Sequence, residues 1–92
     1  MELGEKILIS DNSYEVKSLL TPREIEYLAL VALGNSNKKI ANTLFVSIST
    51  VKKTLENVFK KLNANDRANA VARAFILGIL SSHLLTKFKN KL

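Results

Sequence analysis

No cysteine occurs anywhere in the 92-residue chain. That excludes a disulfide framework and a zinc site built on thiolates, and it suits a reducing compartment such as the cytosol. Histidine is almost as scarce: His83 stands alone, so a histidine-rich metal cluster is excluded too. No apolar run is long enough to span a bilayer. The longest, residues 68–85, is interrupted by Arg73 and several polar residues. The opening MELGEKILIS lacks the basic region and long apolar stretch of a secretory signal. Catalytic groupings are missing as well. There is no carboxylate pair, no nucleophile–base pair and no glycine-rich phosphate loop, so neither an enzyme nor a bound cofactor is expected.

What is present is a hydrophobic fraction of 47%, enough for one small globular domain with a modest core. The net charge of +6 is unevenly distributed. Residues 1–46 carry five basic and six acidic side chains, whereas residues 47–92 carry nine basic and two acidic ones. The second half therefore attracts polyanions, with nucleic acid and an anionic membrane surface as the two general classes.

The first twenty residues differ from the rest. Lys6-Ile7-Leu8-Ile9 and Tyr14-Glu15-Val16 flank the polar Ser10-Asp11-Asn12-Ser13, a pattern of either a short β-hairpin or an extended linker. From Thr21 the pattern is helical. Thr21-Pro22-Arg23-Glu24 combines a capping box with proline at the first helical position. Ile25, Leu28, Ala29, Ala32 and Leu33 then share a face, and Gly34 stops the helix. A short second helix fits residues 37–44, with Asn37 as N-cap and Ile40, Ala41 and Leu44 inside. A third follows Ser47, over about residues 48–62. Val51, Leu55, Val58, Phe59 and Leu62 lie on one side of it, and Ser49, Lys53, Glu56, Asn57 and Lys60 on the other. The fourth spans about residues 66–80. Its expected inner stripe is Ala68, Val71, Ala72, Phe75 and Ile79, which leaves Ala70, Leu77 and Leu80 beside Arg73 on an apolar outer face suited to a partner. The tail 81–92 continues as a frayed basic helix.

A short helix, a tight connection and a longer amphipathic helix form the layout of a helix-turn-helix, whose second helix enters the major groove of DNA. The chemistry of the third helix agrees. Its N-terminus and the hydroxyls of Ser47 and Thr50 suit a phosphate. Lys52 and Lys53, one turn in, can donate to guanine O6 and N7, and Glu56 can accept from cytosine N4. Lys60 suits a backbone phosphate. Arg67 reads equally as a phosphate ligand or as a bridge at the start of helix four, and Tyr14 and Tyr27 as packing residues.

Several motifs stand in order along this stretch: LTPRE at residues 20–24, G-x-S-N-K-x-I-A at 34–41, S-x-x-T-V-K at 47–52, K-L at 61–62 and R-x-x-A-V at 67–71. Residues 20–80 thus resemble the LuxR-type (GerE/FixJ-like) DNA-binding domain of bacterial transcription regulators. The resemblance implies an all-α, four-helix domain over 21–92 that binds double-stranded DNA in the cytoplasm. It places Lys52, Lys53 and Glu56 at the bases and Asn37, Lys38, Ser47 and Thr50 at phosphates, with Ser49 a further DNA-binding residue. It further implies a homodimer through helix four (Ala70, Arg73, Leu77, Leu80) and RNA polymerase as a further partner, without a membrane. The chain departs from the pattern at Lys39, where the family often has Glu, and at Thr54, where it often has His. The family's N-terminal sensor or receiver is absent from this sequence, which then reads as a stand-alone regulator or an effector domain. A sigma-factor region-four-like domain shares the LTPRE-like start, but the helix after Arg67 argues against it. A protein-interaction module and a tail (75–92) that attaches to membranes are the readings from other classes.

Overall fold

A computed structural model of the chain describes residues 19–89, and the expected hairpin of residues 6–16 lies outside them. The described residues form five α-helices and no strand: α1 Pro22–Ala32, α2 Asn37–Leu44, α3 Ile48–Lys61, α4 Arg67–Ile76 and α5 Ser82–Lys89.

Polar caps start the first four helices, each accepting the backbone N–H three residues on. They are Thr21, Ser36, Ser47 and Asp66. At α1 the box is reciprocal, because Glu24 also accepts the Thr21 N–H at 2.9 Å. At α2 the cap is Ser36, one residue before the expected Asn37, which becomes the first helical residue. The four helices also end alike, each in a residue with positive φ: Gly34 (91°), Phe45 (59°), Asn63 (55°) and Gly78 (78°). At each, the next residue's N–H bonds back to a carbonyl five positions earlier, as in Asn35 to Leu30 and Ala64 to Phe59. This is the Schellman closure. Phe45 is the exceptional member, because its Cβ makes the left-handed conformation costly.

Helix α1 is the centre, and each of the other four helices packs against it. Five consecutive residues, Tyr27 to Val31, are buried, so α1 is covered on more sides than the single face its sequence pattern suggests. On one side Tyr27, Leu30 and Val31 join Ile40, Ala41, Leu44, Val51 and Leu55 of α2 and α3. On the other, Leu28 and Ala29 join Leu20, Val58, Leu62, Ala70, Ala74, Ile79 and Leu80.

Two expectations for the C-terminal third are corrected. First, α4 ends at Ile76, not near Leu80, because the chain turns at Gly78. Beyond the turn α5 is a separate helix that packs Leu84, Leu85 and Phe88 against the core, so it is not a frayed extension. Second, the phase of α4 is shifted: of the expected inner stripe, Ile79 is buried and Val71 packs on the core, but the other three members are exposed. Ala70 and Ala74 are buried and Leu77 is half-buried, while Ala68, Ala72, Phe75 and Ile76 are exposed. Small residues on the inner face let α4 lie close to α1, which a stripe led by Phe75 would prevent.

Candidate nucleic-acid interface

Helices α2 and α3 are joined by three residues, Phe45-Val46-Ser47. Val46 is half-buried and plugs the turn from below, and the small Ala41 is buried where α2 meets its neighbours. With Val51, Leu55 and Val58 buried, the 100° spacing of a helix turns Lys52, Lys53, Glu56, Asn57 and Lys60 outward, and all five are exposed. At the start of α3 three hydroxyls are linked. Ser47 Oγ accepts the Thr50 N–H at 3.0 Å and donates to Thr50 Oγ1 at 2.9 Å, while Ser49 Oγ lies 3.1 Å from it. With Ser47 donating to Thr50, Ser49 donates to Ser47. The Thr50 hydroxyl proton is then the one left for an outside acceptor.

The cations divide into two groups. One group is engaged within the fold. Lys61 Nζ sits 2.9 and 3.1 Å from the two Glu24 carboxylate oxygens. Arg23 pairs with Glu26 at 3.0 Å and lies over the Tyr27 ring, 5.5 Å from its centre. Burial raises the Glu24 carboxyl, but the hydrogen bonds from Lys61 and the Thr21 backbone outweigh it and hold the group below its ordinary value. By contrast, the ammonium groups of Lys38, Lys39, Lys52, Lys53 and Lys60 have no partner among the described residues. Glu56 is within helical reach of Lys52, Lys53 and Lys60 and pairs with none of them. The α2–α3 unit holds six lysines against one glutamate, so its outer side carries uncompensated positive charge.

Residues 18–74 match the family model of bacterial regulatory proteins of the luxR family. The chain belongs to that family. It is 44% identical over 61 residues to the response regulator protein VraR of Staphylococcus aureus, and equally to those of Staphylococcus saprophyticus and Staphylococcus epidermidis. Each match covers 66% of this chain and 29% of the relative, so the chain spans less than a third of the length of these curated proteins. The class of function that the family carries is DNA-binding transcription regulation. No helix among the described residues is long and apolar enough to cross a membrane.

In this luxR-family domain, eight of the nine expected DNA-contacting residues are exposed. They are Lys38 on α2, Ser47 in the turn, and Ser49, Thr50, Lys52, Lys53, Glu56 and Lys60 on α3. The ninth, Asn37, is half-buried, and its Oδ1 accepts from Arg67 Nη1 at 2.8 Å. Arg67 Nη2 donates to the Asn35 carbonyl at 2.7 Å, so Arg67 is a bridge between α4 and the start of α2. The expected dimerisation set is corrected. Ala70 and Leu80 are buried at 0% and 2% exposure, Leu77 packs on the core, and Arg73 Nε donates to the Leu62 carbonyl at the end of α3. None of the four forms an open apolar face, which consists instead of Ala68, Ala72, Phe75 and Ile76. Two further exposed apolar residues were not among the expected site residues, Phe45 at 92% in the turn and Ile48 at 49% at the start of α3. Phe45 was open to detection, since the turn after α2 calls for a left-handed residue and no glycine stands there.

Proposed function

We propose that this domain binds double-stranded DNA in a sequence-specific way as part of transcription regulation, with α3 seated in the major groove. The observation that carries this reading is the outer face of α3. Its lysines are exposed, lack anionic partners within the described fold, and follow a helix start bearing hydroxyl donors. Here the single acid sits among three unpaired lysines, an arrangement able to read both guanine and cytosine edges. Lys52, Lys53 and Glu56 read bases. Asn37, Lys38, Ser47, Ser49, Thr50 and Lys60 hold the phosphate backbone and fix the register.

The working unit is a homodimer through α4, which would match a two-fold symmetric site. Its apolar contact is Phe75 and Ile76 with Ala68 and Ala72 at close approach, since these are the exposed members of the helix. RNA polymerase is the further partner and the cytoplasm the location that this function requires. Selection of bound duplexes from a random pool tests the reading. An enriched inverted repeat supports both parts, an enriched single half-site removes the dimer, and no enrichment removes sequence-specific binding. Sedimentation of Ile76→Glu then tests the face: the variant is expected to be monomeric at concentrations where the parent associates. A parent that is monomeric both with and without DNA would overturn the dimer.

A further inference from the structure

Arg67 opens α4, yet its guanidinium serves a different part of the chain. One nitrogen donates to Oδ1 of Asn37, the first residue of α2, and the other to the carbonyl of Asn35 in the preceding loop, at 2.8 and 2.7 Å. That loop is itself fixed, because both the Asn35 backbone N–H and its side-chain Nδ2 donate to the Leu30 carbonyl, at 3.2 and 2.9 Å. The two acceptors therefore form a rigid pair thirty or more positions away from Arg67 in sequence.

The chemistry of the pair decides how Asn37 is oriented. A guanidinium has donors only, so the amide atom facing it must be the oxygen, and the amide nitrogen faces away. Asn37 Nδ2 has no partner among the described residues, and the side chain is half-buried, with part of it open to solvent. We propose that Arg67 is a positioning residue. It locks Asn37 so that the amide N–H groups are presented as donors to a DNA phosphate beside α2, while its own charge stays on the protein side and contacts no DNA. This inference rests on the DNA-binding reading above, in which the start of α2 flanks the backbone. It assigns to Arg67 a function through Asn37 that differs from direct phosphate binding. It also explains the residue type, because two separate acceptors need a two-pronged donor and a lysine ammonium is a point charge.

The test is a set of duplex titrations over a range of KCl, with melting curves, for the parent chain, Asn37→Ala, Arg67→Ala, Arg67→Lys, the Asn37→Ala/Arg67→Ala double variant and Lys53→Ala. Asn37→Ala and Arg67→Ala are each expected to weaken binding roughly ten- to a hundred-fold, the worth of one hydrogen bond to an ionised acceptor. The double variant should be no weaker than the weaker single one, and Arg67→Lys should not restore affinity. The salt slope should stay at the parent value, since neither residue displaces a counterion in this account. A direct phosphate contact by Arg67 predicts the reverse: a slope lower by about 0.9, rescue by lysine, and losses that add. Any of those results overturns the proposal, as does parent-like binding by Asn37→Ala. If Arg67→Ala melts below the assay temperature, Arg67→Lys and Asn37→Ala decide. Loss of binding in Lys53→Ala with no effect at Asn37 removes this inference alone. A parent chain that does not bind duplex removes the DNA reading, and this inference with it.

Discussion

Helices α3 and α4 both cover α1 and both show one face to solvent, but those faces have opposite chemistry. The outer face of α3 is Lys52, Lys53, Glu56 and Lys60, charged and unpaired within the described residues. The outer face of α4 is Ala68, Ala72, Phe75 and Ile76, with Ile76 82% exposed. Their inner faces differ in the same sense. Helix α3 buries large side chains (Val51, Leu55, Val58), whereas α4 buries Ala70 and Ala74. A helix that anchors through bulk can devote its outer face to charge. Helix α4 anchors through the close approach of Ala70 and Ala74 and leaves the bulky Phe75 and Ile76 outside.

The most severe way to break this contrast is to place charge on either side of α4. Ala70→Glu buries a carboxylate where no space exists and should cost about 4 kcal/mol or more, enough to abolish folding of so small a domain. Ala72→Glu, on the exposed side, should stay within about 0.5 kcal/mol of the parent in urea titration. Equal effects would contradict the assigned phase. Next comes α3, where Leu55→Ala should lose about 2–5 kcal/mol of stability. Lys52→Ala should leave the melting curve unchanged and reduce only duplex affinity, by roughly five-fold or more.

Smaller effects sharpen the comparison at its edges. Phe45 is the large apolar residue on the α2–α3 side and holds φ at 59°. Phe45→Gly removes that strain and should raise stability by about 1 kcal/mol, offset in part by the greater freedom of glycine in the unfolded chain. A loss of stability would show that the exposed ring has a partner in solution. The smallest effect concerns Lys61, the lysine of α3 that is paired. The Glu24 carboxyl is held below its ordinary value in the fold. Its contribution is therefore full above the unfolded value of about 4.3 and is lost as pH falls through the lower folded one. Glu24→Gln should flatten that acid limb in melts between pH 6 and 2 and leave stability near pH 9 with no added slope.

The same contrast explains what could be read in the sequence. On α3 the large apolar residues and the lysines separate cleanly at helical spacing, so its phase and its outward residues follow from the pattern. Residues 68–80 offer two apolar stripes, one through Ala68, Ala72 and Phe75 and one through Ala70, Ala74 and Leu77. Side-chain size favours the first. Close packing against α1 selects the second, and that is a tertiary fact with no local signature. The end of α4 at Gly78 was legible in principle, because glycine there matches the stop at Gly34, but the continuing apolar residues Ile79 and Leu80 masked it. Ser36 and Asn37 are adjacent and both good caps, so propensity could not choose between them. The Arg67 bridge joins residues thirty positions apart, beyond the reach of any periodicity.

The assignment of the α3 face to DNA is tested most directly by the salt dependence of binding to a labelled duplex, followed by fluorescence anisotropy. With α3 on DNA, log K falls linearly with log salt concentration, and Lys60→Ala makes the slope shallower by about 0.9, the loss of one phosphate contact. Binding that does not vary with salt, or a slope that Lys60→Ala leaves unchanged, would contradict the assignment of the α3 face to DNA.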